Sequence, residues 1–122
     1  MVVDDQVPFR SAIRAVLSRL DVFEVVGEAG NGFEAVVMAE DLRPALVLMD
    51  INMAGMGGIG ATRRIVAAHP EVVVVLFSTY DLDDLPAEAT TCGAHAYIHK
   101  ERIGVETLRR IWQDRHTDIG FG

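Results

Sequence analysis

The chain has 122 residues and a formal net charge of −7, and half of its residues are hydrophobic. This length corresponds to one domain with its own core, and the hydrophobic content excludes a disordered chain. The acidic balance argues against direct nucleic-acid binding, which depends on clustered Lys and Arg. The longest strongly apolar run, residues 72–77, is too short to cross a bilayer, so we expect no membrane segment.

The single cysteine, Cys92, permits no internal disulfide, and the first residues lack the basic and apolar stretches of a signal peptide. These features favour a cytoplasmic protein.

The first half of the chain predicts alternating strands and helices. A short strand at residues 1–3 precedes apolar residues at helical spacing, and residues 22–28 indicate a second strand. A helix over residues 33–42 ends before Pro44. Residues 45–49 are an apolar run without alternation, which is typical of a strand buried on both faces. The first helical stripe comprises Phe9, Ala12, Ile13, Val16, Leu17 and Leu20.

The second half continues this alternation. A glycine-rich loop at residues 52–58 precedes a helix at 59–68 and a second buried strand at 72–77. A weaker helix is predicted at 83–92, with Gly93 as its stop, followed by a strand at 96–99 and a final helix at 105–112. We expect the domain to occupy residues 1–116, with 117–122 as a tail or the start of a linker.

Strands alternating with helices predict right-handed βαβ units and a parallel sheet. Five such units match the flavodoxin-like α/β fold, a doubly wound sheet of strand order 2-1-3-4-5 with helices on both faces. Ligands of such sheets bind outside the carboxyl ends of the strands, near the point where the strand order reverses.

Polar side chains follow the apolar strands at this predicted edge. Asp4 and Asp5 end the first strand and Asp50 ends the third, and three adjacent carboxylates require a cation. Oxygen ligands without Cys or His favour Mg²⁺ or a similar ion. Sharing the metal with phosphate and water would leave Asp50 free to attack a phosphoryl group and form an acyl phosphate. Ser78 and the only lysine, Lys100, end the next strands and could bind phosphoryl oxygens.

Four sequence blocks resemble those of bacterial response-regulator receiver domains, in order and over essentially the whole chain. They lie at residues 2–6, 48–53, 76–79, and 92–94 together with 97–100. Glu101 after Lys100 is similar to the LuxR-type helix-turn-helix branch. Ala54 and Gly57 stand where the family usually has Pro and Asp, which suggests a looser loop.

The resemblance implies a set of site residues. Asp50 would be the phosphoacceptor, and Lys100 would pair with the phosphoryl group. Asp5 would hold Mg²⁺, with Asp4 acting partly through water, joined by Asp50 and the backbone carbonyl of Asn52. Ser78 would bond a phosphoryl oxygen, and Tyr97 would be the aromatic switch that moves with it.

The resemblance also implies a regulatory phosphoacceptor rather than an enzyme. It would receive its phosphoryl group from a sensor histidine kinase, and its output would be transcriptional control. Phosphorylation would change a face made by residues 83–92, 96–99 and 105–116, through which a homodimer could form. Because the first strand is short, we expect further residues before Met1. Since the sequence ends without an output domain, either an effector is missing, which we favour, or the receiver acts alone through protein contacts.

Several alternatives remain open. A degenerate receiver would serve only as a binding module, although no phosphorylation residue is missing. A flavodoxin-like cofactor enzyme would need a Ser/Thr/Gly-rich loop where this chain has residues 6–9, Gln-Val-Pro-Phe. Tyr97 could be a half-buried strand aromatic. The remaining candidates are expected to be structural or surface residues: Phe9, Trp112, Cys92, His69, His95, His99 and His116.

Overall fold

A computed structural model describes residues 1–115. Residue 116 and the predicted tail at 117–122 lie outside this range. Within it, five strands alternate with four α-helices: β1 Val2–Val3, α1 Val7–Leu17, β2 Glu28–Ala29, α2 Gly32–Leu42, β3 Leu46–Asp50, α3 Gly57–Ala68, β4 Val73–Ser78, β5 Ala96–His99 and α4 Val105–Gln113. Three single turns of 3-10 helix complete the description: Leu82–Asp84, Ala87–Thr90 and Lys100–Arg102.

The strands form one parallel sheet of order β2-β1-β3-β4-β5, which confirms the predicted fold and strand order. Val3 pairs with Met49, and Asp50 pairs with Phe77. The carboxyl ends of the central strands therefore lie side by side. This register brings Asp4, Asp50, Ser78 and Lys100 to one edge of the sheet.

The sheet separates two buried layers because successive strand residues point to opposite faces. Leu46 and Leu48 pack in the layer with α1 and α4, whereas Val47 and Met49 pack in the layer with α2 and α3. All five residues of β3 are buried, as its continuous apolar run predicts. Within residues 1–115, none of the helices has the length and apolarity that crossing a bilayer requires.

The predicted strand at residues 22–28 is wrong over most of its length, because β2 contains only Glu28 and Ala29. Its partner β1 offers only Val2 and Val3 for parallel pairing. Val22 and Val26 are exposed, whereas Phe23 and Val25 are partly buried against the core, so this segment packs beside the sheet without forming a strand.

The predicted helix at residues 83–92 is also wrong. Two separate 3-10 turns, Leu82–Asp84 and Ala87–Thr90, occupy this segment. Pro86 lies between them, and the backbone of Leu85 before it is extended, with ψ 138°. Proline disfavours the helical conformation in the residue that precedes it and has no N–H for the helical ladder, which explains the interruption.

Helix α3 begins at Gly57, two residues before the predicted start, so the glycine-rich loop is shorter than expected. The backbone of Gly57 is left-handed, with φ +73°, and the Gly58 N–H donates to the Ile51 carbonyl over 3.1 Å. A Cβ on Gly58 would collide with the carbonyl oxygen of Asp50. The glycine therefore permits the first turn of α3 to approach the end of β3.

Candidate functional site

Asp4 is held by the chain that links β1 to α1. Its side chain is fully buried, and its Oδ1 accepts a hydrogen bond from the Gln6 N–H over 2.7 Å. The Arg10 Nη1 donates to the Asp4 carbonyl over 2.6 Å, while its Nε donates to Glu28 Oε1 over 3.2 Å. Asp5, by contrast, is exposed. The sequence pair thus provides one fixed carboxylate and one accessible carboxylate.

Asp50 ends β3 with only 2% of its surface exposed. The Asn52 N–H donates to its Oδ1 over 3.3 Å. Burial, followed by the negative charge of Asp4, raises the pKa of Asp50 from 3.8 to about 6, while Lys100 and the Asn52 hydrogen bond act in the opposite direction. A cation placed among these carboxylates would favour the ionised form.

Lys100 follows β5 and reaches back over the sheet edge. Its Nζ lies 3.1 Å from Asp4 Oδ2 and 3.7 Å from Asp50 Oδ2, and its side chain is 17% exposed. The only lysine of the chain is therefore paired with two of the predicted site carboxylates.

Oxygen atoms of Asp4, Asp5 and Asp50 lie within 4.8 Å of one another. Asp4 Oδ2 is buried and accepts no hydrogen bond, although the Lys100 ammonium is nearby. A buried carboxylate oxygen without a hydrogen bond is costly unless a charge compensates it. Three carboxylates beside one ammonium leave an excess of negative charge, and such hard oxygen ligands fit Mg²⁺ or a similar divalent ion.

Ser78, at the end of β4, is fully buried. Its Oγ lies 2.7 Å from the Tyr97 hydroxyl and accepts a hydrogen bond from the Tyr80 N–H over 3.0 Å. The Tyr97 hydroxyl also donates toward the Tyr80 carbonyl, at 2.5 Å, and burial raises the pKa of Tyr97. In the described part of the chain, Ser78 is bonded to these two tyrosines and not to Asp50.

Sequence reasoning missed three residues beside the site. Arg10 fixes the backbone of Asp4, and the Tyr80 hydroxyl donates to Asn52 Oδ1 over 3.4 Å. Phe9 was predicted as core, and it does pack on the core, but its ring also lies under Lys100. Position was the available signal, since Phe9 and Arg10 lie in the first turn of the helix that follows Asp4 and Asp5, and Tyr80 lies two residues after Ser78.

The other histidine and cysteine candidates lie away from the carboxylate cluster or bond to backbone. His69 is buried and lies 2.7 Å from Glu40 Oε2, and Cys92 is buried. His99 contacts the Thr79 carbonyl over 3.0 Å. His116 lies outside the described residues. Among residues 1–115, histidine therefore takes no part in the candidate metal site.

Comparisons with known proteins agree with this geometry. Residues 1–113 match the response regulator receiver domain family. The response regulator GacA of Pseudomonas protegens is 38% identical over 100 residues, covering 82% of this chain and 47% of that protein. A protein-glutamate methylesterase/protein-glutamine glutaminase of Alkalilimnicola ehrlichii is 39% identical over 127 residues, covering all of this chain and 33% of that protein.

A similar crystal structure is that of a two-component response regulator of the LuxR family from Aurantimonas. It is 28% identical in sequence with a TM-score of 0.85, and the match covers 95% of this chain and 83% of that one. The chain spans half or less of the length of these two curated relatives, and both relatives match it only as part of a longer protein. Together these matches confirm the resemblance: the chain belongs to the receiver domain family of two-component response regulators.

Proposed function

We propose that Asp50 accepts a phosphoryl group in a Mg²⁺-dependent reaction and that the chain thereby acts as a phosphorylation-controlled switch. The observation that carries this proposal is the convergence of three carboxylates with the Lys100 ammonium, 3.1 Å from Asp4 and 3.7 Å from Asp50. One site thus combines a nucleophile, oxygen ligands for a cation and a fixed positive charge.

In the proposed step, a carboxylate oxygen of Asp50 attacks the phosphorus of a phosphohistidine. A new O–P bond forms while the N–P bond breaks, and the departing imidazole takes up a proton. Asp50 must be ionised to react, and its neighbour Lys100 stabilises the charge that develops on the phosphoryl oxygens. Asn52 supports the reaction by donating its N–H to the Asp50 carboxylate.

Asp5, Asp4 and Asp50, with the backbone carbonyl of Asn52, would hold Mg²⁺. Bound there, the ion would neutralise negative charge and orient the phosphoryl oxygens. The exposed Asp5 carboxylate gives access from solvent, whereas Asp4 is already fixed by Gln6 and paired with Lys100.

Ser78 and Tyr97 would couple phosphorylation to the surface. A phosphoryl group adds up to about two negative charges and three acceptor oxygens. The Ser78 hydroxyl, if it turned to one of these oxygens, would leave Tyr97, whose ring would then be free to move. The surface expected to respond comprises the two 3-10 turns within residues 83–92, strand β5 and the helix within residues 105–116, and a homodimer would form through it.

The remaining parts of the proposal concern partners. We assign the phosphodonor as a sensor histidine kinase and the output as transcriptional control through a LuxR-type DNA-binding domain. The similar two-component response regulator from Aurantimonas belongs to the LuxR family, which supports this choice of output. The chain itself would be a regulatory phosphoacceptor in the cytoplasm, with a domain at residues 1–116, and would neither bind nucleic acid nor act as an enzyme on another substrate.

Acetyl phosphate provides a direct test because it is a small acyl phosphate that needs no kinase. With Mg²⁺, the parent chain should gain one phosphoryl group by intact-mass measurement, and Asp50→Asn should gain none. Asp41→Asn is the matched control, since Asp41 is an exposed carboxylate on α2. EDTA should stop the uptake.

Uptake by Asp50→Asn at the parent rate would overturn the assignment of the acceptor. An uptake rate that EDTA leaves unchanged would overturn the metal requirement, and a parent chain that takes up no phosphoryl group would support a binding module instead.

A further inference from the structure

Phe9 lies directly beneath the lysine of the site. The Lys100 Nζ is 4.4 Å from the centroid of the Phe9 ring and 5.6 Å from that of Phe77. The negative face of an aromatic ring attracts an ammonium at this distance, and the attraction grows where water is excluded. Here the Lys100 side chain is 17% exposed, so the contact lies largely out of solvent.

The ring is itself held in place from two sides. Phe9 belongs to the first turn of α1, where Pro8 restricts the backbone at the helix start. Its ring packs against Phe77, with centroids 5.3 Å apart and a tilt of 37°, and Phe77 is fully buried at the end of β4. Phe9 therefore presents a fixed surface to the lysine.

We infer that Phe9 is a positioning residue for Lys100 in phosphoryl transfer. The inference rests on the proposed function and adds a residue to it. A lysine has four rotatable side-chain bonds and a strongly hydrated charge, so an unsupported ammonium samples many positions. The ring faces of Phe9 and Phe77 support the ammonium while Asp4 and Asp50 draw it toward the site of the new bond.

The consequence is electrostatic. When Phe9 is replaced by an aliphatic residue, Lys100 retains its carboxylate partners and the more distant Phe77 ring but loses the nearer ring that attracts it and excludes water. A more solvated and less ordered ammonium stabilises the phosphoryl oxygens less well, because a fixed charge stabilises developing negative charge most strongly where water is excluded. The rate of phosphoryl uptake should fall, whereas the fold, supported by leucine in the same core position, should remain.

The sole lysine makes the contact directly observable. In protein grown with ¹³C-labelled lysine, one set of ε-methylene signals reports Lys100, and the ring beneath it should shift these signals upfield. Phe9→Leu should remove most of this ring-current shift in the unmodified, metal-free chain. Phe23→Leu is the matched control, since Phe23 packs against Trp112, and it should leave the shift unchanged.

The functional measurement is the initial rate of phosphoryl uptake from acetyl phosphate with Mg²⁺. Phe9→Leu should slow it about fivefold, and Phe9→Tyr or Phe9→Trp, which restore an aromatic face, should recover most of the rate. In a Lys100→Met background, Phe9→Leu should have no further effect on the remaining rate. Phe23→Leu should react at the parent rate.

The outcomes separate this inference from the function on which it rests. A parent chain that takes up no phosphoryl group overturns both. If the parent reacts and Phe9→Leu reacts equally fast, the role of Phe9 alone is overturned. The same holds if Phe9→Leu lowers the uptake rate by the same factor in the Lys100→Met background as in the parent. Loss of rate that neither aromatic variant recovers shows a packing role and also overturns it.

Discussion

The hydroxyl groups of Ser78 and Tyr97 lie 2.7 Å apart, bridging β4 and β5 beside the carboxylate cluster. The Tyr97 hydroxyl also lies within hydrogen-bond distance of the Tyr80 and Ser78 carbonyl oxygens, which can only accept, so donation to either of them leaves the Ser78 proton for the shared bond. A hydroxyl has a single proton to donate. Ser78 therefore cannot donate to Tyr97 and to a phosphoryl oxygen at the same time, and this competition makes the pair a candidate coupling element.

Ser78→Ala should still accept a phosphoryl group on Asp50, but the surface should respond only weakly to this modification. Without the hydroxyl, phosphorylation no longer withdraws a hydrogen bond from Tyr97, so the two states of the ring are not differentially stabilised. The measurement is the change in amide NMR shifts of β5 and α4 on adding beryllofluoride, a phosphoryl mimic. In the parent chain these shifts should extend beyond the site, and in Ser78→Ala they should stay within it.

Thr79→Ala is the control for this experiment, because Thr79 is the exposed neighbour of Ser78. It should respond like the parent. Parent shifts confined to the site would rule out the switch, even with Asp50 as the acceptor.

Asp50→Asn should stabilise the metal-free protein at pH 7. Because the folded pKa of Asp50 is raised to about 6 from 3.8, the folded chain binds more protons than the unfolded chain between these values. The free energy of unfolding therefore falls as the pH rises through this window, and the full loss persists above it. The amide removes this loss, which corresponds to about 3 kcal/mol at pH 7.

Urea unfolding with EDTA measures this gain. It should shrink as the pH approaches 3.8, where Asp50 is protonated in the folded chain. Asp41→Asn, on an exposed carboxylate, should show little change at either pH. An Asp50→Asn gain that is independent of pH would contradict the raised pKa.

The candidate site could be predicted because its residues follow strand ends. Asp4, Asp50 and Lys100 each come directly after an apolar run, and parallel strands bring such ends to one edge. Phe9 and Arg10 lie close to Asp4 and Asp5 in the sequence, but this position alone does not assign them a role, since an aromatic or a basic residue at a helix start is ordinary. Their roles depend on how α1 is docked over β1, which no local pattern specifies.

The errors in the fold have local physical causes. Residues 83–92 carry apolar positions that suggest a helix, but Pro86 prevents its propagation. Residues 22–28 are rich in valine, yet strand formation requires a partner, and β1 pairs only with Glu28 and Ala29. The helical preference of residues 83–92 is therefore interrupted by one proline, and the strand preference of residues 22–28 is limited by the short neighbouring strand β1.

Two glycines of α3 should respond oppositely to alanine. Gly58→Ala places a Cβ against the Asp50 carbonyl, and the resulting displacement should cost about 3 kcal/mol and slow phosphorylation. Gly60→Ala meets only the flexible Met56 side chain, at 3.1 Å, and should gain about 0.5 kcal/mol from helix propensity. Urea unfolding of both variants measures the difference, and equal effects would contradict the close approach of α3 to β3.

Mg²⁺ should stabilise the folded chain, and Asp5→Asn should remove most of this effect. A ligand that binds only the folded state at ten times its Kd adds about 1.4 kcal/mol to the free energy of unfolding. Asp5 is the exposed member of the carboxylate cluster, so its loss lowers metal affinity without leaving a buried group unpaired. Thermal unfolding with and without Mg²⁺ provides the measurement. Asp21→Asn, on an exposed turn, should behave like the parent, and a full Mg²⁺ response in Asp5→Asn would refute its role as a ligand.

Arg10→Gln should destabilise the chain far more than Arg14→Gln, although both arginines pair with Glu28. The Arg10 side chain is 17% exposed and also donates to the carbonyl of the buried Asp4, so its loss leaves that carbonyl without this donor at a cost of about 2 kcal/mol. Arg14 is 58% exposed and its ion pair is worth about 0.5 kcal/mol.

Because Arg10 fixes the backbone that carries Asp4, its variant should also lose part of the Mg²⁺ stabilisation, whereas Arg14→Gln should retain it. Urea unfolding with and without Mg²⁺ measures both quantities. Equal losses of stability in the two variants, or an unchanged Mg²⁺ effect in Arg10→Gln, would show that Arg10 does not position Asp4.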